Sequence, residues 1–269
     1  MQRGPRLASG RTAEIFAWGD DRILKLFLAW CSAAMVEREL QAARATVGVG
    51  LAVPKVAGIV EVDGRRGIVY ERIDGPSMLK TLTARPWTII RLARLLAELH
   101  AVLHTRRIPD LPSQRERLQR RIRNVKALSP ATKEATLKAL AGLPDDSAVC
   151  HGDFHPDNIL MSPRGPIVID WMDATRGSPL ADVARTSLLL QVGAPPGMSM
   201  PVRLLINSMR SLFHQTYLRR YIQLRSVSHE QIAAWRASIA AARLDEGIQE
   251  EESRLVAIVE AAAKQSVDN

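Results

Sequence analysis

The stretch HGDFHPDN, residues 151–158, gathers polar side chains between short apolar runs. The run AVC at 148–150 leads into it, ILM at 159–161 follows it, and PIVI at 166–169 ends in Asp170. Rigid strands that present a polar loop are a common way for a fold to position reactive groups. The stretch therefore predicts a functional loop held between strands.

The composition of the chain is that of a globular protein. It has 269 residues, of which 46% are hydrophobic and 24% are charged, and this length suggests about two domains with a sizeable core. The sequence has no run of about 18 uncharged apolar residues, so no membrane span is predicted. The first residues contain no apolar stretch typical of a secretory signal. Only two cysteines occur, which favours a reducing, cytoplasmic location over a disulfide scaffold or a cysteine-rich zinc site.

The net charge of +9 invites an anionic partner. Base-stacking aromatic residues are scarce and no nucleic-acid motif is visible, so we expect neither nucleic acid nor a membrane as a partner. An arginine-rich helix is predicted over 114–126, after the helix cap Ser113. It could contact an anionic ligand, but a solvated helix face is the favoured interpretation.

Two hairpin patterns occupy the N-terminal part. Residues 13–18 and 22–27 flank a Gly-Asp-Asp turn, and residues 59–62 and 67–72 flank the turn sequence DGRR. Lys25 lies alone among apolar residues of the second strand, where a lysine usually faces solvent. The pattern predicts a small β-sheet, and the interest of Lys25 depends on partners elsewhere in the chain.

The strand-rich part contains one predicted helix, over 32–47, with Ser32 as its cap. The sequence DGPS at 74–77 then breaks the pattern and predicts a lobe boundary. Helical patterns dominate after it, apart from the strands around the polar loop and a short Pro/Gly loop at 193–201. We therefore divide the chain into residues 1–73 and 74–269.

The helix predicted over 86–103 is followed closely by His104, one turn after His100. Two histidines at this spacing can ligate a metal. The sequence offers no third ligand near them, so packing or surface roles are expected for both.

Three residues in and after the polar loop carry oxygen donors: Asp153, Asn158 and Asp170. Such hard donors suit Mg²⁺, which keeps water and phosphate oxygens as its remaining ligands. An aspartate just after a strand can also accept the proton of an attacking hydroxyl. This combination favours phosphoryl transfer from a nucleotide, in which a lysine on an upstream strand neutralises phosphate charge.

The motif VCHGDFHPDNIL followed by IVIDW resembles the aminoglycoside phosphotransferase and choline kinase family, within the protein-kinase-like fold. ILKLF is similar to the strand with the nucleotide lysine, MVEREL to the helix with its glutamate partner, and IVYERIDG to the hinge. The resemblance implies a two-lobed α+β fold. Residues 1–73 would form a β-rich nucleotide-binding lobe with one helix, and residues 74–269 a larger, mainly helical lobe with the catalytic loop and the substrate site.

The resemblance also implies a role for each site residue. Asp153 would be the catalytic base or would orient the attacking hydroxyl, and His155 would contact the transferred phosphate. Asn158 and Asp170 would bind Mg²⁺. Lys25, paired with Glu39 (favoured over Glu37), would bind the phosphates of ATP or GTP. Ser9, Gly10 and Thr12 would form the loop over those phosphates. The backbone of Glu71 and Ile73 would contact the nucleotide base.

The implied activity is transfer of the γ-phosphate to a hydroxyl of a small molecule, such as an aminoglycoside-like antibiotic, a sugar or an amino alcohol. The activation-segment pattern of protein kinases is missing, which argues against a protein substrate. An aminoglycoside would need an acidic pocket, and the acids at 245–252 with Asp173 could supply one. A solvated helix start is the favoured interpretation of that acidic run. Antibiotic resistance is implied only if the acceptor is an aminoglycoside-like antibiotic.

Two alternatives stay open. One is a kinase-like protein that binds nucleotide without catalysis, against which all the expected polar groups are present. As a departure from the pattern of protein kinases, the chain has no GxGxxG loop and only Gly10 in its place. The other is a metallohydrolase with His151, Asp153, His155 and Asp157 around zinc. It leaves Lys25 without a role, and we expect His151 instead to brace the loop by hydrogen bonding and Asp182 to be structural.

Overall fold

The computed structural model describes residues 3–191 and 199–265. Two compact units are present: Met1–Ala84 with Pro156–Ala174, and Arg85–His155 with Thr175–Asn269. The sequence-based division places a single boundary after residue 73. In the structure, the first unit also contains a hairpin from a later part of the chain, within Pro156–Ala174. The assignment of nucleotide and acceptor binding to separate lobes stays a prediction.

The first unit is built on a five-stranded antiparallel sheet with the order β1-β2-β3-β5-β4. Both hairpins predicted from the sequence are present, as β2–β3 and β4–β5. The strands are β1 (Arg6–Ser9), β2 (Ala13–Ala17), β3 (Arg22–Phe27), β4 (Val56–Val62) and β5 (Arg65–Glu71).

Alternating side chains give this sheet two apolar faces. One face, with Phe27 and Ile68, packs against helix α1 (Ala33–Gly48), whose N-terminus is capped by the predicted residue Ser32. The other face carries Leu24 and Leu26. Because side chains alternate along a strand, Lys25 points to the α1 side, where it is only 7% exposed. The general tendency of a strand lysine to face solvent therefore does not hold for Lys25.

A second hairpin, β7 (Ile159–Ser162) and β8 (Gly165–Val168), also belongs to the first unit, together with α2 (Met78–Ala84). The DGPS segment runs against this hairpin, since Met161 donates its backbone N–H to the carbonyl of Pro76 at 2.8 Å. Gly75 has φ +141°, and a Cβ there would lie 2.3 Å from the Met161 carbonyl oxygen. The predicted break is thus a contact point with the hairpin that follows the polar loop.

The second unit is mainly helical, with β6 (Ala148–Cys150) paired antiparallel to β9 (Thr175–Gly177). Helix α7 (Met200–Arg225) begins after Ser199, and most of the predicted loop at 193–201 lies outside the described residues. In the described part of the chain, no helix is long and apolar enough to cross a membrane. The helices described here are α3 (Ile89–Leu103), α4 (Gln114–Asn124), α5 (Pro130–Gly142), α6 (Pro179–Leu190), α7 (Met200–Arg225), α8 (His229–Ala233), α9 (Arg236–Leu244) and α10 (Gln249–Gln265).

Candidate active site

A buried ammonium group lies at the centre of the first unit. Lys25 Nζ on β3 is 2.7 Å from Glu39 Oε1 on α1 and 2.9 Å from Asp170 Oδ1, just after β8. Glu37 lies elsewhere and faces Arg66 at 3.6 Å. Three segments that are distant in sequence therefore meet at one lysine.

Electrostatics keep this lysine charged. Burial disfavours the ammonium form, but the charges of Asp170 and Glu39 outweigh it and raise the pKa of Lys25. Tyr70 donates its hydroxyl to Glu39 Oε1 at 3.0 Å, while Oε2 of the same carboxylate is buried without a partner. An isolated buried charge costs several kcal/mol, on the order of 5, so the pair of carboxylates is what makes a buried Lys25 tolerable.

Asn158 and Asp170 lie side by side at the open end of the β7–β8 hairpin. The hairpin pairs Ile159 with Val168, and the next residue, Ile169, donates its N–H to the Asn158 carbonyl at 3.0 Å. Asp170 has φ +66°, a left-handed conformation that is unusual for a residue other than glycine. The backbone bond places both residues at the same end of the hairpin, and their oxygen donors fit the preference of Mg²⁺.

Asp153 lies in the second unit, half-buried, three residues after the end of β6. His155 Nε2 is 3.3 Å from its Oδ2. Burial alone would raise the pKa of Asp153, but the hydrogen bond and charge of His155, followed by the charges of Arg185 and His151, hold it well below its ordinary value. The carboxylate is therefore ionised at neutral pH and is a hydrogen-bond acceptor.

Asp182, on α6, holds the backbone of the polar loop. Its two carboxylate oxygens accept the N–H groups of His151 at 2.6 Å and Gly152 at 2.9 Å. His151 Nδ1 in turn accepts the N–H of Asp153 at 3.2 Å. Asp182 is thus structural and His151 braces the loop, the roles predicted for both.

His100 and His104 also meet Asp182, which supplies the third group that the sequence did not reveal near them. Their Nε2 atoms lie 3.1 and 3.4 Å from Asp182 Oδ2, and each Nδ1 lies 2.7 Å from a hydroxyl, of Tyr217 and Tyr221 respectively. All three side chains are buried, and this trio is the one group with metal-ligand spacing in the described residues. Because every ring nitrogen has a hydrogen-bonding partner, packing explains it without a metal.

Arg185 is a site residue that sequence reasoning missed. It is buried on α6, its Nε donates to the Gly152 carbonyl, and its Nη2 lies 3.6 Å from Asp153 Oδ1. Its position three residues after Asp182 places both on one helix face, and this spacing was the only available signal. Arg185 therefore contacts the loop next to the residue proposed for catalysis.

Glu246 and Glu251, in the acidic run, face inward. Glu246 Oε1 lies 2.8 Å from Arg185 Nη2 and 3.1 Å from Arg121 Nη1. Arg243 pairs with both glutamates. The interpretation of the acidic run as a solvated helix start is wrong for these two residues, because arginines from three helices neutralise them. Likewise, Arg121 does not lie on a solvated face.

Asp157, the exposed member of the polar loop, accepts the hydroxyl of Ser77 at 2.6 Å. Ser77 Oγ also accepts the N–H of Lys80 at 3.2 Å, at the start of α2. The short helical turn Pro156–Asn158 is thereby tied to the DGPS segment.

The predicted nucleotide loop and hinge lie in the same unit as Lys25. Ser9 ends β1, and Gly10 closes the β1–β2 turn with an N–H bond to the Ala13 carbonyl at 2.9 Å. The backbone of Thr12 accepts the N–H of Leu28 at 2.8 Å. At the hinge, Glu71 ends β5 with its N–H bound to the Lys55 carbonyl at 2.8 Å, and its side chain lies 2.7 Å from Arg164. Ile73 follows in the linker, half-buried.

The fold is that of protein-kinase-like phosphotransferases. The chain is similar to a thermostable mutant of aminoglycoside phosphotransferase APH(4)-Ia in complex with AMP-PNP and hygromycin B, with TM-score 0.63, 15% identity, and 97% of this chain and 92% of that chain covered. It is also similar to an aminoglycoside-3'-phosphotransferase of type VIII, with TM-score 0.59, 21% identity, and 88% and 91% covered. ADP-bound APH(2'')-Ib gives TM-score 0.57 at 16% identity, with 98% and 92% covered.

The family follows from the sequence match. The model of the phosphotransferase enzyme family matches residues 4–235, and the chain belongs to this family. No curated protein matches the chain. The predicted family and the α+β kinase-like fold are both confirmed.

Proposed function

We propose that the protein transfers the γ-phosphate of ATP, or of GTP, to a hydroxyl of a small molecule. One observation carries the proposal: a buried lysine on the sheet is held between Glu39 and Asp170, 2.7 and 2.9 Å away. A structural ion pair needs one carboxylate, whereas a lysine that must stay charged and fixed for phosphate binding benefits from two. The family match supports phosphotransfer.

The first unit supplies the nucleotide contacts in this proposal. Lys25 neutralises phosphate charge, and Ser9, Gly10 and Thr12 cover the phosphates from the β1–β2 turn. The base contacts the hinge backbone. Since the N–H of Glu71 is already bound to Lys55, the contact there is the Glu71 carbonyl, with the N–H of Ile73 as its complement.

Asn158 and Asp170 would hold Mg²⁺. Their position at the same end of the β7–β8 hairpin and their oxygen donors support this assignment. The ion, when bound, supplies positive charge to the phosphate oxygens. The contact between Lys25 and Asp170 Oδ1 fixes the direction of that carboxylate without enclosing it, since the Asp170 side chain is 40% exposed.

Asp153 acts on the acceptor. Its ionised carboxylate accepts a hydrogen bond from the acceptor hydroxyl and aims the oxygen at the γ-phosphorus. A bond forms between that oxygen and phosphorus, the bond from phosphorus to the leaving nucleoside diphosphate breaks, and the hydroxyl proton passes late in the step to the Asp153 carboxylate, which then releases it to solvent. Because the pKa of Asp153 is low, it orients the hydroxyl more than it removes the proton early. His155, 3.3 Å away, contacts the transferred phosphate.

The acceptor is a small hydroxyl compound: a sugar, an amino alcohol or an aminoglycoside-like antibiotic. Relatives in fold have been solved with hygromycin B. In this chain Glu246 and Glu251 are neutralised by arginines, so these two acids are not available to a polycation. That pairing favours a sugar or another weakly charged acceptor.

The test is consumption of Mg-ATP across sugars, amino alcohols, macrolides and aminoglycosides, with Asp153→Ala as the matched inactive variant. We expect one acceptor class to raise consumption in the wild type only, with nucleotide binding preserved in the variant. Equal consumption by both proteins would reject the mechanism. Nucleotide binding without any transfer would indicate the alternative of a kinase-like protein without catalysis.

A further inference from the structure

Glu246 lies in the turn between α9 and α10, beyond residue 235, where the family match ends. Its Oε1 contacts Arg185 at 2.8 Å and Arg121 at 3.1 Å, and its Oε2 contacts Arg243 at 3.1 Å. The side chain is only 14% exposed. One carboxylate of the C-terminal segment therefore binds three arginines at low exposure to water.

The Arg185 guanidinium is shared between two carboxylates. Its Nη2 is 2.8 Å from Glu246 but 3.6 Å from Asp153, and its Nε donates to the Gly152 carbonyl. Burial disfavours its charge, and Glu246 first, then Asp153, outweigh that effect and raise the pKa of Arg185. A buried guanidinium needs a carboxylate partner, so loss of the Glu246 charge would draw Nη2 toward Asp153.

We propose that Glu246 is a positioning residue: it limits Arg185 to a long contact with Asp153, at 3.6 Å, so that the acceptor hydroxyl does not have to displace a close arginine pair from that carboxylate. The inference rests on the proposed function. A close arginine–carboxylate pair uses the carboxylate lone pairs in short, charge-assisted bonds, which would compete with the acceptor. Arg185 keeps its bond to Gly152 in either state, so the loop backbone stays anchored.

The experiment uses Glu246→Gln, which removes the charge and keeps the shape. Its control is Glu260→Gln, the same change at an exposed site on α10. The first readout is steady-state hydrolysis of Mg-ATP with water as the acceptor. The second is the ¹³Cγ resonance of Asp153 at pH 7, assigned by its loss in Asp153→Asn. We expect Glu246→Gln to lower kcat roughly 10-fold, leave KM for Mg-ATP unchanged and shift the resonance, whereas Glu260→Gln changes none of these.

A double-mutant cycle with Arg185→Met isolates the coupling from the other arginines. Once the guanidinium is absent, Glu246→Gln should affect neither kcat nor the Asp153 resonance further. An equal loss in both backgrounds, or an unmoved resonance in Glu246→Gln, would overturn the inference. If Arg185→Met does not fold, Glu246→Asp replaces it: retained charge should bring both readouts back toward wild type, and no recovery would again overturn it.

The two proposals fail in different ways. Wild-type consumption of Mg-ATP that no acceptor raises above that of Asp153→Ala would reject the proposed function, and with it the catalytic role of Glu246. If the wild type hydrolyses Mg-ATP normally but Glu246→Gln does not shift the Asp153 resonance, only the positioning role is rejected.

Discussion

Lys25 and Asp170 are separated by 145 positions in the chain, yet Nζ of the first lies 2.9 Å from Oδ1 of the second. The contact joins the central strand β3 to the end of the β7–β8 hairpin within one unit. It brings a proposed phosphate-binding charge next to a proposed metal ligand, so a substitution at either residue should change the affinity for the nucleotide.

Replacing Lys25 with methionine should weaken Mg-nucleotide binding and lower kcat about 100-fold or more, because the phosphates lose their fixed positive charge. Isothermal titration with Mg-AMP-PNP and steady-state kinetics measure the two effects. Lys80→Met, an exposed lysine on α2, is the matched control and should behave as wild type. Full activity in Lys25→Met would contradict the assignment.

Asp170→Ala should abolish metal-dependent nucleotide binding, because it removes one of the two oxygen ligands proposed for Mg²⁺. Titrations of nucleotide with Mg²⁺ and with EDTA give the measurement. The wild type should bind more tightly with the ion, while the variant should show equal affinity in both buffers. A preserved Mg²⁺ effect in the variant would place the ion elsewhere.

Ser77→Ala should lower the free energy of unfolding by about 1–2 kcal/mol, since it removes a hydrogen bond to a carboxylate and a cap of α2. Asp157→Asn keeps one acceptor oxygen for the Ser77 hydroxyl and should cost less. Urea unfolding of both variants provides the comparison. If Asp157→Asn were less stable than Ser77→Ala, the hydrogen bonds of the Ser77 hydroxyl would not be the main contribution of this contact to the free energy of unfolding.

The stability of the second unit should depend on pH through His104. Burial first, then the neighbouring His100, lowers the pKa of His104 from 6.5 to about 3. Between these values the unfolded chain binds more protons than the folded one, so the free energy of unfolding falls as pH drops below 6.5, with a limiting slope of about 1.4 kcal/mol per pH unit. Above pH 6.5 this contribution is constant.

Urea unfolding of the wild type and of His104→Asn at pH 7.5, 6 and 5 measures that slope. The variant should be less stable at pH 7.5 but should lose less stability on acidification. His229→Asn, at an exposed site, should keep the wild-type slope. Parallel pH curves for wild type and His104→Asn would mean that the buried ring titrates normally.

Local patterns predicted much of the fold. The hairpin alternation around Gly19 and around Gly64 and the cap at Ser32 depend on near neighbours, and the structure shows each. The resemblance supplied the family and the candidate site residues, because the spacing within the polar loop is itself local in sequence.

The missed features depend on contacts between distant segments. Nothing near residues 100–104 reveals Asp182 as their third partner, and the contact of Lys25 with α1 was predicted only through the resemblance that pairs it with Glu39. The position of Glu246 next to a helix start predicts a solvated acid, whereas its arginine partners come from α4, α6 and α9. The charge of a side chain does not by itself predict whether the helix face that carries it is buried.

The close approach at Gly75 has a consequence for the history of the chain. Any side chain at this position would collide with the backbone of Met161, and no rotamer relieves a clash of Cβ itself. We expect every functional descendant or close orthologue to retain glycine here, even where the flanking Asp74 and Pro76 have drifted. Position 75 is therefore a marker by which sequences with this linker–hairpin contact can be separated from family members that join the two segments differently.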